Sequence, residues 1–110
     1  MCYLFEGFMD YLSFLTIRMR NNPQYPRLTM QDYIILNSVS NLAKAEGILA
    51  DYSRIDCFLD NDTAGRTACE HLKARFGERL SDMSIYYREY KDLNDYLCGK
   101  PLSQSAEPMK

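Results

Sequence analysis

One histidine in 110 residues, and four cysteines with no C-x-x-C pair among them, leave neither a zinc-ligand spacing nor a disulfide framework to build on. Cys2, Cys57, Cys69 and Cys98 are widely separated and are expected as reduced, mostly buried thiols. Long apolar runs are also missing. The apolar start from Met1 to Leu15 is interrupted by Glu6 and Asp10, well short of the roughly 18 residues a spanning helix needs, and no charged-then-apolar leader is present. The expectation is a soluble, cytoplasmic chain that meets no membrane. A basic surplus is lacking as well: net charge is −2 and the pI about 5.3, which at first argues against a partner rich in phosphates.

The 46% of hydrophobic residues in this length supports one compact core and not two. Cys2-Tyr3-Leu4-Phe5 is a short apolar run ending at Glu6-Gly7, which predicts a strand buried on both faces. Residues 8–20 carry Phe8, Leu12, Leu15 and Met19 at helical spacing, flanked by Tyr11 and Ile17, and predict a helix with that face buried. Two prolines and two asparagines in residues 21–26 predict a loop over 21–31. Tyr33 to Leu36 predicts a second strand, Asn37 to Ser40 a turn, and Asn41 an N-cap for a helix reaching about Asp51.

Residues 54–59 predict a third strand, Asp60-Asn61-Asp62 a polar turn, and residues 64–76 a third helix that Gly77 ends in the left-handed conformation. Met83 to Tyr87 predicts the fourth strand, followed by a short helix through Leu97 that stops at Gly99-Lys100-Pro101. Residues 1–99 form the expected domain and 100–110 a disordered C-terminal tail. Alternating strands and helices force right-handed crossovers, so the fold class is α/β, with a four-stranded parallel sheet flanked by helices on both faces.

In such a sheet ligands bind beyond the carboxyl ends of the strands, where Glu6, Asp60 and Asp62 all fall. Asp10, four residues after Glu6, looks back to the same edge, and Asp92 follows the fourth strand in the same way. Carboxylates packed so closely repel unless a cation lies among them. An oxygen-only set suits Mg2+, with Mn2+ as a possible substitute, and the EF-hand pattern for calcium is missing. Once Glu6, Asp10, Asp60, Asp62, Asp92 and Asp95 are assigned to this edge, the remaining acids are outnumbered by the 13 Lys and Arg. A mildly basic body around an acidic pocket fits a phosphate-bearing partner, DNA or RNA and nucleotides.

Three blocks together, Glu6-Gly7-Phe8-Met9-Asp10, Phe58 to Arg66, and Lys91-Asp92-Leu93-Asn94-Asp95-Tyr96-Leu97, resemble the toprim domain in the version found in DnaG-type bacterial DNA primases. The resemblance covers essentially residues 2–98. It implies a Rossmann-like parallel sheet and magnesium-dependent nucleotidyl transfer or related phosphodiester chemistry in DNA replication or processing. By the same resemblance Glu6 is the catalytic acid or base, and Asp60 and Asp62 are metal ligands. Asp92 and Asp10 match the further acids of primase-like members. Arg66 and Lys91 are candidates to face substrate phosphate, although a solvated charge is the ordinary fate of either.

Two departures stand out: Asn94 occupies the place of a second aspartate, and Ser38-Val39-Ser40 replaces a Gly-Thr turn. Primases also use a basic subdomain and a zinc module, so the resemblance implies flanking domains of a larger protein and weak or no turnover by this domain alone. A toprim-type nuclease and a non-catalytic metal and nucleic-acid-binding module stay open as alternatives. Plainer roles compete at single residues: Asp62 as a helix cap, Asp10 as a favourable charge at a helix N-terminus, and His71 as a surface residue. The nine tyrosines suggest no nucleophile; Tyr86, Tyr87 and Tyr90 are read as strand packing and edge.

Overall fold

A computed structural model describes residues 1–21 and 31–102. The strands are β1 (Cys2–Phe5), β2 (Asp32–Ile35), β3 (Ile55–Phe58) and β4 (Leu80–Asp82), and the helices α1 (Phe8–Asn21), α2 (Leu42–Leu49), α3 (Thr63–Phe76) and α4 (Leu93–Cys98). All strand pairs are parallel, in the order β2-β1-β3-β4. The chain therefore leaves β1 to one side for β2 and crosses back to the other for β3. Right-handed crossovers of opposite travel put α1 on one face of the sheet and α2 and α3 on the other.

Side-chain alternation along β1 separates the two cores. Cys2 and Leu4 point into an aliphatic cluster with Leu49, Ile55, Cys57, Leu72 and Leu80 beneath α2 and α3. Tyr3 and Phe5 point the other way, into an aromatic cluster with Phe14, Phe58, Tyr87 and Leu93. Phe5 and Phe58 stack with centroids 5.0 Å apart, and Phe14 meets Phe58 edge-on at 5.2 Å. A sheet buried on both sides explains why β1 and β3 are apolar throughout apart from Asp56. Cys2, Cys57 and Cys69 are buried free thiols, whereas Cys98 is exposed.

Four sequence expectations need correction. The fourth strand is Leu80–Asp82, and Met83–Tyr87 forms a 3-10 turn instead. Asp82 causes the switch: its carboxylate accepts the Ser84 N–H at 2.9 Å and the Ser84 hydroxyl at 2.6 Å, capping the turn where the strand would continue. The inward side of α1 is Asp10, Ser13 and Phe14, whereas Phe8, Leu12 and Met19 are exposed. Asn41 does not cap α2 with its side chain; its amide donates to Leu36 O at 2.8 Å, and Ser38 caps a 3-10 turn over Val39–Asn41. Gly77 has positive φ (59°) but ψ of −128°, outside the left-handed helical region, while Gly99 at 71° and 38° is inside it.

The loop expected over 21–31 falls mainly on residues 22–30 and the tail expected from 100 mainly on 103–110; those residues lie outside the described ones. No described helix is long and apolar enough to cross a membrane.

Candidate metal centre

The order β2-β1-β3-β4 makes the gap between β1 and β3 the topological switch point of the sheet, where connections leave in opposite directions and open a crevice at the carboxyl edge. Glu6 follows β1 and Asp60 lies just beyond β3, so both stand at that crevice. They are joined directly: the Asp60 N–H donates to Glu6 Oε1 at 3.0 Å. Glu6, Asp60 and Asp62 offer carboxylate oxygens all within 4.8 Å of one another. Asp10, Asp60 and Asp92 form a second trio meeting the same limit, so Asp60 belongs to both.

Each neighbour of Asp60 is held by backbone geometry. Asp62 Oδ1 accepts the Gly65 N–H at 2.8 Å and caps α3, which leaves its Oδ2 outside the cap. Capping therefore leaves one oxygen of this carboxylate open to a cation. Asp92 does the same for α4, taking the Asp95 N–H at 2.7 Å. Asp10 is only 5% exposed and its Oδ1 accepts the Asn94 N–H at 3.1 Å. Asn94 Oδ1 in turn accepts the Ser13 hydroxyl at 3.1 Å, which ties α1 to α4 and turns the Asp10 side of α1 inward.

Two further residues set the geometry and carried no signal in the sequence reading. Gly65 lets α3 lie directly against the Asp60 backbone: a Cβ there would stand 2.2 Å from Asp60 O. Asn61, between the two aspartates, points its amide at the carbonyls of Ser84 (3.3 Å), Tyr87 (3.0 Å) and Tyr90 (3.0 Å), while its N–H donates to Lys91 O at 2.6 Å. It anchors the segment after β4 to the turn that carries Asp60 and Asp62. An asparagine within a D-x-D is recognisable only once its distant partners are known.

Electrostatically the edge is unsatisfied. Asp60 Oδ1 is buried with no hydrogen-bond partner among the described residues. Burial first, and then the charges of Glu6, Asp10, Asp92 and Asp62, push the Asp60 carboxyl up to about 8. Asp10 is pushed up to about 6, again by burial first, with Asp92 and Glu6 adding to it against the Asn94 N–H. A buried acceptor without a donor costs about 1–3 kcal/mol, and more when charged. The donor set is all oxygen and anionic, and a hard divalent cation relieves both the orphaned atom and the repulsion. The residues present therefore fit a hard divalent cation.

Of the expected phosphate-facing cations, the Arg66 guanidinium lies against Asp82, at 3.0 Å, and the Ser84 hydroxyl. Lys91 is exposed, and its side chain has no partner among the described residues. Among the described residues Asp95 caps nothing and belongs to neither trio; His71 is exposed and pairs with Glu46. A family model described as Toprim-like matches residues 3–97. No curated protein and no solved structure matches the chain.

Proposed function

This chain belongs to the Toprim-like family, and from that premise we propose that its acidic edge holds Mg2+ and works on the phosphodiesters or nucleotide phosphates of nucleic acid. The observation that carries the reading is the buried, unpartnered Oδ1 of Asp60 at the convergence of two carboxylate trios. Asp60 is the shared ligand, Asp62 and Asp92 are presented by their caps, and Asp10 completes the inner side. The bound cation supplies charge neutralisation and polarisation at a phosphoryl oxygen.

Glu6 is suited to the proton. One oxygen is fixed by the Asp60 N–H, which orients the carboxylate and leaves the other free to exchange a proton with an attacking or leaving oxygen. Lys91, with no side-chain partner to give up among the described residues, is the better placed cation for an approaching phosphate, since Arg66 would have to leave Asp82. Within a larger protein we assign the domain to primase-like nucleotidyl transfer, with flanking domains gripping the template. Asn94 favours a second reading, a module that binds metal and strand without turnover. Both groups of Asn94 named above are engaged in packing α1 against α4, and no acid stands in its place.

Mn2+ titration followed by calorimetry, with Asp60→Asn alongside, tests the core of this reading. One cation or more should bind the wild-type chain and none the variant; equal binding by both would end it. Incubation with template, nucleotides and Mg2+ then separates extension from cleavage of a labelled strand, and Glu6→Gln should abolish either.

A further inference from the structure

The segment Met83–Tyr87, read from sequence as a strand, is a 3-10 turn with three residues per turn, so Ser84 and Tyr87 share its inner side. Both are buried, and the Tyr87 hydroxyl donates to Leu59 O at 2.8 Å. Ile85 and Tyr86 are turned out, with Tyr86 71% exposed. Tyr96 of α4 is 43% exposed, and the edge of Tyr90 supports its ring at 5.3 Å and 85°. Two exposed rings on a rigidly anchored base are not needed by either core.

Tyr86 and Tyr96 are walls of two neighbouring hollows. One, of about 180 Å³, continues over Phe14, Phe58 and Leu93 and contains Arg18. The other, of about 440 Å³, contains Arg88 and one acid, Glu89. Each hollow thus pairs aromatic faces with an arginine. Exposed Lys91 lies next along the chain, one residue before the Asp92 carboxylate. Asn61 fastens the same segment, at Ser84, Tyr87 and Tyr90, to the turn carrying Asp60 and Asp62. The surface is therefore mechanically continuous with the acidic edge.

We propose that Tyr86 and Tyr96 form a stacking platform for the bases of a single-stranded nucleic acid, with Arg18, Arg88 and Lys91 on its backbone, leading the strand toward the acidic edge. Aromatic faces accept any base, and arginines add charge and planar contact, which is how single strands are held without sequence preference. Base pairs in a duplex expose no such faces, so single strands are selected over duplex. The inference rests on the reading that the edge acts on nucleic acid.

The test uses the full chain in EDTA, so that strand binding is measured without metal. A fluorescein-labelled oligothymidylate should bind, and Tyr86→Ala should weaken it about tenfold while Tyr86→Phe restores it. An abasic strand of the same length should bind the wild type about tenfold more weakly and not distinguish it from Tyr86→Ala. Because the chain has no tryptophan, Tyr86→Trp gives a single tryptophan, excited selectively over the tyrosines, that unlabelled oligothymidylate should quench and the abasic strand should not.

Equal affinity for abasic and base-bearing strands, or an unchanged affinity in Tyr86→Ala, would overturn the platform. So would a Tyr86→Ala variant that shifts only the sedimentation of the protein, which would mark the surface as a contact between two copies. Mn2+ binding by each variant separates the two readings. Strand binding sensitive to Tyr86 in a chain that takes no Mn2+ sinks the metal reading and supports the platform; Mn2+ binding with strand affinity indifferent to Tyr86 does the reverse.

Discussion

Asp60 is in conflict with its surroundings when no cation is present: an orphaned buried oxygen within reach of Glu6, Asp10, Asp62 and Asp92. With its carboxyl pushed up to about 8, Asp60 is mostly protonated at neutral pH in the metal-free chain, and Asp60→Asn keeps the position uncharged while adding two donors for the surrounding acids. It is expected to stabilise the metal-free chain by about 1 kcal/mol, several degrees in Tm. Thermal melts in EDTA check this, and the variant should show no further gain on adding Mg2+. Gly65→Ala works in the opposite direction, because its Cβ meets the Asp60 carbonyl at 2.2 Å and backbone on both sides must give. A loss of about 2–3 kcal/mol in urea unfolding is expected, with weaker Mn2+ binding from the displaced Asp60. Glu6, Asp60 and Asp62 were legible in the sequence because each follows an apolar strand. Asn61 and Ser13 were not, since their partners lie 23 to 29 and 81 positions away and nothing local marks them.

At the level of elements, the 3-10 turn after β4 depends on Asp82, which caps it and also takes Arg66. Despite burial, the Ser84 hydroxyl and N–H together with Arg66 hold the Asp82 carboxyl below its ordinary 3.8. Its folded pKa is depressed, so its contribution is complete above about pH 4 and disappears as pH falls through the folded value. Urea midpoints measured from pH 5 downward should fall less steeply in Asp82→Asn than in wild type. Asn61→Ala frees three carbonyls at once and should expose residues 83–91 to amide exchange while β1 and β3 stay protected. Sequence located β1, β3, α3 and α4 within a residue or two, because apolar runs and capping aspartates agree there. It misplaced β4 because Leu80-Ser81-Asp82 offers a single apolar residue to an edge strand, whereas Met83 to Tyr87 is rich in β-formers yet follows a cap. The inward face of α1 was misread for a different reason. Asp10 and Ser13 are buried to serve the acidic edge and Asn94, so apolar periodicity does not report which side faces in.

For the whole molecule, Mg2+ binding only the folded state should raise Tm with the logarithm of its concentration, a gain of about 2.7 kcal/mol at a hundredfold excess over Kd. Differential scanning calorimetry from EDTA to millimolar Mg2+ reads this directly, and a chain indifferent to Mg2+ would remove the site from the stability of the fold. The parallel sheet was legible as a whole because strand and helix alternate throughout, and that alternation alone places Glu6 and Asp60 at one edge. The same topology has a consequence in time. Asp10 waits for the backbone N–H of Asn94, 84 positions further along the chain. At roughly 5–20 residues per second that is about 4–17 s of synthesis. During that interval β1 can pair with β2 and then β3 while the inner acid has neither its partner nor Asp92 beside it. The first trio, complete once Asp62 has emerged, precedes the second by some 30 residues. A nascent chain therefore acquires its two carboxylate trios in two instalments, and α4 is the element that closes the second.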